Sequence, residues 1–300
     1  MGNARNKRRV SPEAGNWTAR TLAAAGLALV LLFPGRVLLA GPGGAAPYQI
    51  EGDAAAPDPA GAVRQIFELL NGERRKAGLP PLAWNDALAE AARRHAQFMA
   101  KQGTLTHRGR GEPELGERLA AVPLDRSGEN VAVDSEGPVT AHQGLMHSPP
   151  HRANILDPGF DAVGIGAVQA GRLLWVTEDF AHLVVRLPEQ SAANALARAL
   201  ERARAKAGLP PLERDTIVRL TSIACDMARH NRLDTAGPLV LPGAYSATAY
   251  TVFDPAELPS DALRFVTTRG VQRFAVGVCF ARSPTYPSGT YWVALVLFAR

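Results

Sequence analysis

Cysteine is nearly missing: the 300 residues hold only Cys225 and Cys279. Two thiols cannot make a disulfide framework or a cysteine-rich zinc site. One bridge or two buried thiols remain as the alternatives. Excess charge is missing from most of the chain as well. The net charge is +5, but the first 36 residues contain six Lys or Arg and one acid. That leaves 27 of the 33 basic and 27 of the 28 acidic residues to balance each other. A neutral body has no electrostatic footprint for nucleic acid. An apolar run long enough to span a membrane is also lacking where one would look for it. Residues 21–33, TLAAAGLALVLLF, fall short of the roughly 18–20 that a spanning helix needs, and Pro34-Gly35-Arg36 separates them from the next apolar residues, Val37 to Ala40. No cysteine stands after the run, so lipoprotein attachment is not indicated.

What stands at the N-terminus is a Lys/Arg cluster, then the short apolar run, then small residues. That order makes 1–40 a signal peptide, with cleavage near Ala40 or Ala46. The alternative is an uncleaved anchor with its basic end inside. Either way the body is expected outside the cytoplasm: secreted, periplasmic or in the cell envelope. Residues 41–60, rich in Pro, Gly and Ala, read as a linker. In an exported chain the two cysteines favour a Cys225–Cys279 bridge over two free thiols.

Beyond the linker the pattern turns helical. Val63, Ile66, Phe67 and Leu70 form a stripe, and Gly78 with Pro80-Pro81 stops it. Asn85 or Asp86 can cap a second helix whose apolar face is Leu88, Ala91, Ala92, His95, Ala96 and Met99. The pattern predicts a short helix over 112–124, a loop at Ser127-Gly128-Glu129-Asn130, a helix over 139–146, and a hairpin of strands 162–168 and 173–180 turning at Gly171. Glu178 and Asp179 fall on opposite faces of the second strand. One is expected buried or lining a cleft, the other solvated.

KAGLPPL occurs at 76–82 and again at 206–212. Each copy follows an Ala/Arg/Glu-rich helix, and each half ends in a strand, turn and Trp-bearing strand. The pattern is an internal duplication with a shortened second copy, over domains 61–186 and 190–300. At the repeat's offsets Cys225 falls at the position of His95 and Cys279 at that of Gly166.

Six of the seven histidines lie in the first half. His95 reads as a satisfied core residue, His107 as an accessible loop residue, His142 as solvated, and His182 as without a special role. His147 and His151 have the i, i+4 spacing of a zinc helix, but Pro149 and Pro150 break the helix that spacing requires. No Glu follows His147, and no G-x-S-x-G elbow surrounds Ser148.

LLNGERRKAGLPPLAWNDALAEAARRHAQFMA, then LTHRG, GEN, HSPPHRANIL, AVGIGA and LWVTEDFA occur in this order. The set resembles the CAP superfamily (cysteine-rich secretory proteins, antigen 5, pathogenesis-related one) in its bacterial secreted form, over about 63–182. The resemblance implies an α/β fold, an α-β-α sandwich with a central cleft, followed by a second smaller α/β copy. It implies a cleft in which two histidines and two acids can hold a divalent metal. Carried over position by position, His107 is the first histidine and Glu129 the first acid. Ser148 stands where the second acid would be, and Trp175 near the second histidine. His151 belongs to the Ser-Pro-x-His-Arg segment of bacterial members and approaches the cleft from another side. The cleft set is thus His107, Glu129, Ser148, His151, Trp175 and Glu178. His107 and His151 are the residues that could hold a metal such as zinc, and a weak or absent site is expected.

The function these readings support is an exported, non-catalytic binding module for a lipid, envelope glycan or protein, without nucleic acid. Its membrane contact would be only through an uncleaved anchor. The alternatives are a metal-assisted hydrolase or peptidase using His107, Glu129 and His151, and a structural envelope protein with a vestigial cleft.

Overall fold

Apolar residues three and four apart wind helix α1 (Pro59–Lys76) with Ala62, Ile66 and Leu70 on its buried stripe. The computed structural model describes residues 59–299, so the signal segment expected at 1–40 and nearly all of the 41–60 linker lie outside the described residues. Gly78, at φ 74°, turns the chain after α1. A short strand β1 (Ala83–Trp84) follows. Helix α2 (Asp86–Gln102) is capped by the Asn85 side chain, which accepts from Leu88 N, and ends at Gly103 in the left-handed region. Its buried residues are the six that periodicity predicts, Leu88 to Met99. Then come α3 (Leu115–Arg118), β2 (Leu124–Asp134), α4 (Pro138–His147), α5 (Pro149–Ile155), β3 (Ala162–Ala170) and β4 (Leu173–Leu183).

The four strands form one sheet in the order β1-β3-β4-β2, with β1 parallel to β3 and the other pairs antiparallel. Alternation along β3 sends Val163, Ile165 and Ala167 into a core with Ile66 and Leu70 of α1 and Leu145 of α4. Ala162 instead packs with Leu88 and Ala91 of α2. The sheet therefore lies between α2 on one face and α1, α4 and α5 on the other, an α-β-α sandwich. The Gly164 and Gly166 positions let α2 lie directly on β3: a Cβ at either would fall inside the α2 backbone, against Ala89 N and Arg93 N.

Arg74 ties this unit together from inside. Its side chain is fully buried and donates to the carbonyls of Pro80, Ile155, Asp157 and Phe160 at 2.9–3.3 Å. Charge-assisted bonds contribute about 1.5–3 kcal/mol each, enough together to offset a burial penalty of several kcal/mol.

The second unit comprises α6 (Glu189–Lys206), β5 (Glu213–Asp215), α7 (Val218–Arg229), a 3-10 turn at Gly237–Val240, β6 (Ala244–Val252), α8 (Ser260–Val266), β7 (Arg273–Ala281) and β8 (Thr290–Phe298). Its sheet order, β5-β7-β8-β6, matches the first, again with one parallel pair. Arg204 does what Arg74 does, donating to Pro210, Val266 and Thr268 carbonyls at 2.8–3.1 Å. Gly277 lets α7 lie on β7 at Leu220, as Gly164 lets α2 lie on β3 at Leu88.

Several sequence expectations change. The 127–130 stretch is not a loop; it is the middle of β2, in unbroken register with β4. Glu129 and Asn130 hid the strand because their polar side chains are buried against partners within the protein. The helix expected over 112–124 shrinks to the four residues of α3, with Pro113 and Pro123 limiting it. Both hairpin strands begin where expected and run further, to Ala170 and Leu183. Two additional residues precede α7, so Leu220 stands where Leu88 does and Met227 where His95 does. Cys225 therefore matches Arg93, not His95. Cys279 does match Gly166, and the two sulfurs form a disulfide with Cα atoms 5.2 Å apart. The staple joins strand to helix at the point where, in the first unit, Gly166 meets Arg93. Helix α8 ends under Arg204 as α5 ends under Arg74, with Ala262 at the place of His151. The shortening falls in two places: between α7 and β6, where the stretch that carries the 106–112 loop and α3 in the first unit is reduced, and between β6 and α8, where residues 253–259 contain no equivalent of α4.

Candidate polar cleft

Helix α2 aims His95 at the sheet, where it is fully buried. Its Nδ1 lies 2.7 Å from Glu112 Oε1 and its Nε2 2.9 Å from the Thr106 carbonyl. Those contacts fix the 106–112 loop, and the Glu112 carboxylate also accepts from Gly109 N. The loop carries His107. Its Nδ1 donates to Glu129 Oε1 at 2.9 Å, while 56% of the side chain stays exposed. Arg118, at the end of α3, donates through Nη2 to Glu129 Oε2 at 2.6 Å and to the His107 carbonyl at 3.1 Å. The Arg118 and Glu129 side chains are 7% and 3% exposed. His95 Nε2 comes within 3.7 Å of Glu129 Oε2. Glu129 is therefore held on both oxygens, and His107 is held at its ring and its backbone.

Asp179 sits opposite Glu129 in the β2–β4 register. It is fully buried, and its carboxyl has no hydrogen-bond partner among the described residues other than the Glu129 carboxyl. Burial, then the facing Glu129 carboxylate, pushes its pKa well above the usual carboxylate range. Glu178 points to the opposite face and is also fully buried. Burial raises it to about 7 against the bond it accepts from Asn130 Nδ2 at 2.9 Å. The expectation that one acid of this pair is solvated is thus corrected. The strand is covered on both faces, so alternation separates the two acids without exposing either.

Asn130 also donates to the His151 carbonyl at 3.1 Å, and Asn154 donates to Asn130 Oδ1 at 2.9 Å and to the Glu129 carbonyl at 3.1 Å. These amides fasten α5 to the edge strand β2. His151, on that helix, is half-buried. Burial lowers its pKa first, and the charge of the neighbouring His107 lowers it further. His107, Glu129 and His151 thus gather at the β2 edge, approached from the 106–112 loop, the sheet and α5.

The remaining candidates lie elsewhere. Trp175 is 5% exposed and packs with Met99 and Val131 under α2, so it belongs to the core. Ser148 is the half-exposed break between α4 and α5. His147 turns back to the Gln143 carbonyl at 2.8 Å. His142, expected solvated, is 3% exposed, and neither ring nitrogen has a partner among the described residues. Burial lowers its pKa. His182 lies 2.7 Å from Asp125 and lines a surface groove with Pro80, Pro81, Arg126 and Asp161. Arg118 and Glu112 were missed by sequence reasoning, and Asp179 was singled out only as one of the Glu178-Asp179 pair. No motif spacing marks them, because Arg118 and Asp179 reach Glu129, and Glu112 reaches His95, only across separate elements.

A divalent metal needs three or four converging donors. Glu129 already has a donor on each oxygen, and Ser148 and Trp175 supply no acid or histidine. Among the described residues, one group of three His, Cys, Asp or Glu brings its ligand atoms within 4.8 Å: Glu189, Cys225 and Cys279. Its sulfurs are joined in the disulfide. The residues present at the cleft do not fit a bound metal. What the arrangement does present is an imidazole oriented through Nδ1, with Nε2 directed to solvent as a hydrogen-bonding group.

The pattern of the cysteine-rich secretory protein family matches residues 67–180. The chain is 32% identical over 112 residues to the uncharacterized protein YkwD of Bacillus subtilis, covering 37% of this chain and 44% of that protein. It is 30% identical over 105 residues to the uncharacterized membrane protein YlbC of the same organism, covering 34% and 30%. The chain thus spans less than half the length of these curated relatives. A crystal structure of an extracellular protein containing an SCP domain from Bacillus anthracis is 32% identical, covering 41% of each chain with a TM-score of 0.39.

Proposed function

We propose that this protein, whose residues 67–180 match the cysteine-rich secretory protein family, is an exported, non-catalytic binding module of the cell envelope. Its ligand seats on the His107–His151 mouth. The observation that carries this reading is the state of Glu129. A carboxylate already bonded to His107 and to Arg118 is a positioning group, not a free general base. It holds an exposed imidazole at fixed orientation beside the half-buried His151, which suits a polar ligand with hydroxyl or carboxyl groups. An envelope glycan is the first class to test, ahead of a lipid headgroup or a protein. No helix among the described residues is long and apolar enough to cross a membrane. Export rests on the basic-then-apolar order of residues 1–40.

The experiment is a binding measurement on purified cell-wall glycan, with wild type and His107→Ala in parallel. A loss of about tenfold, equivalent to roughly 1.4 kcal/mol, is the expected outcome. Equal retention of both proteins would remove the mouth from the reading.

A hydrolytic reading draws on the same pair, since a carboxylate on Nδ1 also fixes Nε2 as a proton acceptor. Ester or peptide turnover that disappears in His107→Ala would favour it.

The second unit we read as a duplicate of the first that has lost its cleft and kept its frame. The shared strand order, the buried arginine under each final turn, and the repeated KAGLPPL support this.

A further inference from the structure

Arg118 is the charge in the cleft whose presence the binding reading leaves unexplained. Its Nη2 serves Glu129 Oε2 at 2.6 Å and the His107 carbonyl at 3.1 Å. Its Nε and Nη1 are buried with no partner among the described residues. Buried donors normally find acceptors, so hydrogen-bond satisfaction alone does not account for a guanidinium here. The surroundings give a better account. Glu129 is bonded to it, His95 Nε2 lies 3.7 Å from the same carboxyl oxygen, and His107 holds the other oxygen at 2.9 Å. Asp179 is the register partner of Glu129 on the next strand, and Glu112 lies beyond His95 at 2.7 Å. His95 is committed to Glu112 and the Thr106 carbonyl, so without the guanidinium Glu129, Asp179 and His107 are left as the oxygen and nitrogen donors of the type that binds divalent cations.

We propose that Arg118 is the resident cation of the cleft: its guanidinium takes the place beside Glu129 that a divalent metal would occupy, and closes the cleft to metal. Arginine suits the role because it stays charged even when buried and presents several donors in a rigid fork. One arm neutralises Glu129 and also grips the backbone of His107, so the charge that replaces the metal also orients the exposed imidazole. The inference concerns the cation and not the ligand, so it can fail while glycan binding succeeds, and the reverse.

Calorimetric titration of Zn2+ and Mn2+ into the full chain tests it, using wild type, Glu129→Gln, Arg118→Lys, Arg118→Ala and the Arg118→Ala/Glu129→Gln pair. Wild type and Arg118→Lys are expected to show no stoichiometric site that depends on Glu129. Arg118→Ala is expected to gain one, at least tenfold tighter than any wild-type binding, and to lose it again in the pair. Should Arg118→Ala not fold alone, Zn2+ or ethylguanidinium is expected to restore its thermal transition. The proposal is overturned by a wild-type metal site that Glu129→Gln abolishes. A folded Arg118→Ala that binds no metal, or an unfolded one that neither cation rescues, also overturns it.

Discussion

Glu129 and Asp179 face each other between β2 and β4, and Ala249 and Ala294 face each other at the same register between β6 and β8. On the other side of each sheet, Asn130 opposite Glu178 becomes Tyr250 opposite Val293. His95 gives way to Met227 and His151 to Ala262. The frame is held in common: the strand order, the arginine clamp and the glycine under the second helix. The charges are not. Every polar side chain of the cleft that can be placed in the second unit is replaced there by an apolar residue or a tyrosine. The frame therefore does not require the cleft's buried charges. Burying them has a penalty, visible in the raised pKa values of Glu178 and Asp179. The second unit is free of it and instead carries a disulfide at the helix–strand contact.

The sharpest way to break this comparison is to cut the common clamp on both sides. Arg74→Met leaves four carbonyls without their donor and Arg204→Met leaves three. Each is expected to lower stability by about 3–5 kcal/mol, with Arg74 the larger, in urea unfolding. A loss confined to one unit would show that the clamps are not equivalent.

The helix–strand contact comes next. Replacing both Cys225 and Cys279 by serine should remove about 2–4 kcal/mol. In the first unit Gly166→Ala should remove about 1–3 kcal/mol by pushing α2 off β3. Reductant should lower the unfolding transition of wild type and leave the double serine variant unchanged. An equal shift in both would mean that the disulfide does not staple this contact.

The smallest effect separates the charged face from its apolar counterpart. Glu178 has a folded pKa of about 7, raised by burial above its unfolded value. The folded state then holds the proton more tightly, so the contribution is full below the unfolded pKa and is lost as pH rises through about 7. His142, lowered by burial, acts in the opposite sense: its contribution is lost as pH falls below its unfolded value. Thermal melts from pH 5 to 8 should therefore show a decline with pH that Glu178→Gln reduces and Val293→Ala leaves in place. An unchanged slope in Glu178→Gln would take that carboxyl out of the account.

Much of this was legible from residues alone. The stripe of α2 read correctly because six apolar or buried positions recur at helical spacing. The break between His147 and His151 read correctly because proline has no amide hydrogen and clashes with the preceding turn. β2 did not read as a strand, because Ser127, Glu129 and Asn130 look like loop residues until their partners on β4, α3 and α5 are known. His142 read as solvated because a short helix gives too few residues to define its buried side. Arg118 looked like any surface arginine in an Ala/Glu/Arg-rich segment.

The sequence by itself determined the helices and hairpins, the repeated KAGLPPL, and the placing of His107 and Glu129 in motifs. Each of these depends on local spacing, which a chain carries wherever it folds. Tertiary structure decided that both acids of Glu178-Asp179 are buried and that Cys225 reaches Cys279. It also decided that Arg118 takes the second oxygen of Glu129. These depend on which faces meet across a sheet, and a shift of two residues before α7 was enough to change the partners there. A periodic pattern says which side of an element is covered; only packing decides which charge lies against which.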